Sequence, residues 1–77
     1  MRLVVVVMAV KNRLREIRHE LMIDTQKEMA RMLEIQHQHY NRYERQQRQP
    51  TLEIALKIAE RLNKSVKEIF YIEPSGD

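Results

Sequence analysis

A chain of 77 residues has room for one small domain near the lower limit of what folds unaided, and 43% apolar residues can supply a single core. There is no cysteine, which excludes a disulfide framework and a thiolate metal site and fits a reducing, cytoplasmic setting. The net charge of +3 is modest, but it is unevenly spread: residues 11–20 and residues 31–49 each set four basic side chains against two acidic ones, whereas residues 50–77 set four against five.

The chain opens on an eight-residue apolar run, Leu3 to Val10. It is far shorter than the ~20 residues that cross a bilayer, and no small-residue cleavage pattern follows, so neither a membrane span nor a secretory signal is expected. Four consecutive valines, Val4 to Val7, favour a strand, because β-branched side chains suit a pleat better than a helix. A lone strand leaves an open edge and needs a partner. Three readings stand: antiparallel pairing with Phe70 to Glu73, which would clip the two ends together; pairing with the same segment of a second molecule; or translation starting at Met8, with residues 1–7 outside the natural product.

A first helix is expected from Asn12 to Leu21, with Leu14, Ile17 and Leu21 on its buried stripe and Arg18 at the stripe's edge. Met22 to Asp24 form a turn. Thr25-Gln26-Lys27-Glu28 is a capping box that fixes the start of a second helix, whose Met29, Ala30, Met32 and Leu33 share one face. Ile35 closes the apolar run just beyond a turn in which Glu34 has to adopt a left-handed conformation. A third helix begins at Gln36 or His37. It turns Tyr40, Tyr43 and Glu44 to one side and leaves His37, Gln38, Asn41, Arg42 and Arg45 on the other.

That polar face is unusual, since a solvated helix face ordinarily favours Glu and Lys in i,i+4 pairs. Gln, Asn, His and Arg instead offer paired donors and acceptors suited to base edges in a major groove. Gln26, in the first turn of the second helix, is placed to bond a phosphate alongside free backbone N–H groups. Arg45, Arg48 and the backbone of the Gln46 to Gln49 loop form further phosphate grips.

A fourth helix, Leu52 to Leu62, follows Pro50 with Thr51 as its cap. It is expected to bury Leu52, Ala55, Leu56, Ala59 and Leu62, with Ile54 and Ile58 on a second face toward the terminal strands or a dimer mate. Ser65 to Glu68 is a second capping box, starting a short fifth helix in which Val66, Ile69 and Phe70 supply core or interface. Pro74 to Asp77 form a frayed tail. His19, His37 and His39 make no metal site: there is no thiolate, and histidines two apart diverge on a helix. Ser65 caps a helix, Ser75 lies in the tail and no Gly-rich phosphate loop exists, so no catalytic residue, enzyme or cofactor is expected.

The order Thr25, Gln26, Glu28, Met29, Ala30, Leu33, then Ile35, then Arg42-Tyr43-Glu44, then Pro50-Thr51-Leu52, resembles the helix-turn-helix of the Cro and phage-repressor family, the xenobiotic-response-element group of bacterial regulators. The likeness continues through Ala55, Ala59 and Leu62 to Ser65, Val66, Ile69 and Phe70, covering roughly residues 11 to 70. It implies an all-α, five-helix DNA-binding domain over 11–70, flanked by an N-terminal strand extension at 1–10 and a C-terminal strand and tail at 71–77. Some small members of that family carry such a terminal sheet.

The resemblance further implies base contacts from His37, Gln38, Asn41 and Arg42, phosphate contacts from Gln26, Arg45 and Arg48, and an ion pair between Arg18 and Glu44. His39 falls toward the edge. The implied function is sequence-specific regulation of transcription by a cytoplasmic homodimeric repressor on a partly palindromic duplex, dimerised through the fifth helix and the terminal strands. The alternative is a protein-interaction module of the same fold, an antitoxin or adaptor acting on a protein partner. The chain departs from the family at Met22 to Asp24, where a shorter, Gly-containing turn is usual. It also departs at Glu34 and Gln46, where Gly is frequent, at Gln36, where Ser or Thr caps, and at Tyr40, where a smaller aliphatic is common.

Overall fold

A computed structural model describes residues 7–75 of the chain. The apolar run before Val7, and with it most of the segment bearing on a start at Met8, lies outside the described residues, as do Gly76 and Asp77. The elements run β1 (Val7–Asn12), α1 (Leu14–Glu20), α2 (Gln26–Leu33), α3 (His37–Glu44), α4 (Leu52–Leu62), α5 (Val66–Ile69) and β2 (Phe70–Ser75). The strands pair antiparallel within the chain, from Val7 opposite Ser75 to Asn12 opposite Phe70. The pairing therefore runs past Glu73 and takes Pro74 and Ser75, expected in a frayed tail, into the ribbon.

Asn12, expected in the first helix, ends β1 instead, and its Oδ1 accepts from the Leu14 N–H at 3.0 Å to start α1. At the other end of that helix Leu21 is 48% exposed rather than buried, because the chain reverses at Met22. The core gathers Leu14 and Ile17 from α1, Met29, Ala30 and Leu33 from α2, Tyr40 and Tyr43 from α3, Ile58 and Ala59 from α4, and Ile69 from α5. Met32 falls off the buried face of α2 at 43% exposure. In α4 the buried face is rotated from the expected one: Ala55 and Ala59 are buried as expected and Ile58 joins them, whereas Leu52 and Leu56 are exposed. That follows from α4 packing on α2 and α5, which selects the Ala55–Ile58–Ala59 side, while the ribbon packs on α5.

Caps set the helix starts. Thr25 and Thr51 accept from the N–H groups three residues on, at 3.1 and 3.3 Å. Of the two capping boxes read in the sequence, only that of Ser65 and Glu68 closes in both directions, at 3.3 and 3.0 Å.

The helix ends share one device. Met22, Glu34, Gln46 and Asn63 sit at φ between 55° and 61°, and the following N–H of Ile23, Ile35, Gln47 and Lys64 bonds back to the carbonyl five residues earlier. This is a left-handed C-terminal cap, usually built on glycine. The only glycine here is Gly76, so α1 to α4 all close on residues that carry a Cβ, at about 1–2 kcal/mol each.

At Gln46 the side chain offsets that cost. Its Oε1 accepts from the Asn12 N–H at 3.1 Å and its Nε2 donates to the Asn12 carbonyl at 2.8 Å, as a neighbouring strand would. The buried Asn12 amide in turn donates to the Tyr43 carbonyl and to Gln49 Oε1, both at 2.8 Å. The end of the ribbon is thereby tied to the loop after α3. Arg13 adds a stacking contact, its guanidinium 4.2 Å from the Tyr71 ring centroid.

Two substitutions that relieve the same backbone strain should have opposite effects. Met22 is 86% exposed, so Met22→Gly should raise stability by about 0.5–1 kcal/mol once the entropy of glycine is subtracted. Gln46→Gly should lower it by roughly 1–2 kcal/mol, because the Asn12 backbone groups lose their partners. Urea unfolding midpoints of the two variants against the parent check both signs.

Candidate nucleic-acid interface

α2 ends at Leu33, the chain turns through Glu34, Ile35 and Gln36, and α3 begins at His37. Glu34 takes the left-handed conformation the turn requires, at φ 57° and ψ 44°, and its carboxylate pairs with Arg61. Gln36 occupies the cap position of α3 without a side-chain capping bond. Tyr40, Tyr43 and Glu44 are buried on the inner side of α3, and Tyr40 fills core space with no exposure at all. His37, Gln38, Arg42 and Arg45 are exposed and Asn41 is half-buried, over the rest of the helix surface. His39 is half-buried at the margin.

What holds α3 at this angle is a buried ion pair. Arg18 of α1 reaches Glu44 with two parallel bonds, Nε to Oε2 and Nη2 to Oε1, each 3.0 Å. Its third nitrogen, Nη1, donates to the carbonyls of Ile23 and Asp24 at 3.1 Å. The pair is closed to water, with side chains 10% and 3% exposed. Bonding to Glu44 raises the Arg18 guanidinium further above its ordinary value, against the opposing effect of burial. Burial alone would push the Glu44 carboxyl up; the bonds from Arg18 and Gln26, with the Tyr40 hydroxyl close by, outweigh it and hold the group below the usual glutamate range. Burial and the Glu44 carboxylate together push the Tyr40 phenol far above its ordinary value. That hydroxyl lies beside the pair without completing a hydrogen bond of good geometry.

Gln26, at the first position of α2, donates from Nε2 to Glu44 Oε1 at 3.1 Å, and its Oε1 accepts from Asn41 Nδ2 at 2.5 Å. Gln26 and Asn41 are therefore coupled to the ion pair, a link that spacing alone did not reveal. The loop after α3 also differs from expectation. The N–H groups of Gln46, Gln47 and Arg48 turn inward onto the Tyr43 and Arg42 carbonyls, and the Gln46 and Gln49 side chains turn inward onto Asn12. Three of the loop's backbone N–H groups are thus occupied, and the exposed side chains of Arg45 and Arg48 are its outward cations.

Among the described residues, no group of three or more His, Cys, Asp or Glu is placed to hold a metal ion, and no helix is long and apolar enough to cross a membrane.

A capped helix, a three-residue turn through a left-handed residue, and a second helix presenting amides and guanidinium groups outward define a helix-turn-helix protein. The helix-turn-helix family model matches residues 14–69, from the first residue of α1 to the last of α5. The chain accordingly belongs to that family, as a DNA-binding regulator of the Cro and phage-repressor type, a family of regulatory domains and not of enzymes. No curated protein matches the chain.

The depressed Glu44 carboxyl makes a testable link to pH. The folded state takes up this proton less readily than the unfolded chain, whose value is near 4.5. The stability contributed by the pair is therefore fully present above that value and is lost as pH falls through the lower folded-state value. Glu44→Gln leaves Arg18 buried and incompletely paired, and should cost about 3–5 kcal/mol at neutral pH. The gap between parent and variant, followed by urea unfolding from pH 7 to pH 3, should narrow as the pH falls.

Proposed function

We propose that the protein is a homodimeric repressor that reads a partly palindromic DNA operator with α3 and acts in the cytoplasm. The observation that carries this reading is the outward face of α3. His37, Gln38 and Arg42 are exposed along it, and Asn41 is half-exposed beside them, where Gln26 of α2 meets it. In the proposed complex these four side chains meet base edges. Gln38 and Asn41 suit adenine and Arg42 suits guanine, each good pairing contributing about 1–3 kcal/mol of discrimination. Gln26, Arg45 and Arg48 hold phosphates and set the register of the helix in the groove.

Two copies would place their α3 helices in successive major grooves about 34 Å apart. The ribbon and α5 are proposed as the dimer contact. Val10 and Ile72 are cross-strand partners on one face of the ribbon, 47% and 60% exposed, and with Phe70 they form an apolar surface that a second copy would cover.

Duplex affinity should fall steeply and linearly on a log–log plot against salt. Arg48→Ala should weaken all sequences alike and reduce that slope by about 1 for each contact removed, whereas Asn41→Ala should relax preference at one base position. Selection from a random duplex pool, followed by binding titrations at several salt concentrations, measures both. A flat salt response, or no duplex retained at low salt, would transfer the outward face to a protein partner of the antitoxin or adaptor kind.

For the dimer, sedimentation of the parent at tens of micromolar should give twice the monomer mass. Ile72→Glu should return it to the monomer. A monomeric parent both with and without DNA removes the proposed contact.

A further inference from the structure

Resting on the reading of Asn41 as a base contact, we propose that the buried Glu44 carboxylate, acting through Gln26, fixes which end of the Asn41 amide faces the groove, and so makes this position select adenine over guanine. The argument is one of hydrogen-bond polarity. An ionised carboxylate only accepts, so Gln26 has to turn its NH2 group toward Glu44 Oε1, as it does at 3.1 Å. That leaves Gln26 Oε1, also only an acceptor, facing α3. Asn41 must answer with its own NH2 group, which lies 2.5 Å away. Each amide has one allowed orientation because the one behind it is already set.

The chain begins at a group that cannot reverse its role. Glu44 is fixed by the two bonds from Arg18, and Arg18 by the carbonyls of Ile23 and Asp24. At its outer end Asn41 Oδ1 accepts from no group among the described residues. It is not a buried unpaired atom either, since the Tyr40 hydroxyl is the one such atom described. Asn41 therefore presents an oriented acceptor together with its second amide hydrogen. That pair matches the N6 amine and N7 of adenine in the major groove and opposes the O6 acceptor of guanine. Gln26 is in this respect a positioning residue: it decides what Asn41 offers.

Gln26→Met keeps the length and helical preference of the side chain and removes both bonds. The parent should prefer adenine to guanine at one position of each half-site by roughly 10-fold or more. In Gln26→Met that preference should shrink to about 2-fold, because the Asn41 amide can then turn either way, while preferences at the other positions persist. If Gln26 only grips a phosphate, all sequences weaken together and the preference stays, which overturns the relay and leaves the DNA reading standing. If the parent retains no duplex at all, the DNA reading itself fails, and the relay's role fails with it. A measurement without DNA separates the cases. The Asn41 side-chain amide protons of the free parent, followed by NMR, should exchange slowly and resonate apart, and in Gln26→Met they should move to the values of a free amide. Unchanged amide resonances would overturn the relay whatever the binding result.

Discussion

Arg18 and Glu44 lie almost entirely out of water, and the orientation of the outward helix depends on the bond between them. Placing two charges in a small apolar core is costly unless nearly every donor and acceptor is used. Here the guanidinium makes four bonds, two to the carboxylate and two to backbone carbonyls, and the carboxylate accepts a third bond from Gln26. The pair links α1, the turn after it, the start of α2 and the end of α3. A hydrophobic contact at the same place could hold these elements together, but it would tolerate rotation of α3 about its axis. A bidentate guanidinium–carboxylate pair does not, because its planar geometry fixes both side chains.

This arrangement gives a physical account of the unusual turn after α1. In the sequence, Met22-Ile23-Asp24 stands out as longer than the Gly-containing turn common in the family. In the structure that extra length carries the Ile23 and Asp24 carbonyls past the helix end and onto Arg18 Nη1. Met22 takes the left-handed conformation that reverses the chain, with its side chain in solvent. The backbone cost of a non-glycine cap and the satisfaction of a buried cation thus arise in the same three residues.

Much of the fold was legible because its signals are local. Thr25, Thr51 and Ser65 marked helix starts, Glu34 marked a left-handed turn, and the Phe70 to Glu73 segment found its partner in the described end of the N-terminal strand, Ala9 to Asn12. The misplacements come from contacts that no local pattern encodes. In α4, apolar residues occupy two faces, and periodicity cannot say which one the neighbours choose; α2 and α5 chose Ala55, Ile58 and Ala59 and left Leu52 and Leu56 outside. The amide-rich run from Gln36 to Gln49 posed the same ambiguity in polar form. Gln38 points outward, while Gln46 and Gln49 are spent on Asn12, more than thirty residues earlier in the chain. Glutamine is equally suited to a base edge and to a strand end, so composition alone assigns it to neither.

The same polar economy explains how so small a domain can spare an entire helix face. α3 contributes to the core with Tyr40 and Tyr43 and to the ion pair with Glu44, and nothing else in it is fully buried. Two aromatic rings bury a large apolar area, and Tyr40 brings more of it than the smaller aliphatic common at its position, so three inward positions anchor a helix of eight. The remaining positions are released from packing and can be Gln, Asn, His and Arg at little cost to stability. The Tyr40 hydroxyl, buried beside Glu44 without a good partner, is the residual expense of using a tyrosine where an aliphatic would be dry. A face of that composition on a helix anchored so narrowly depends on the anchor for its aim, and the anchor is the pair at Arg18 and Glu44.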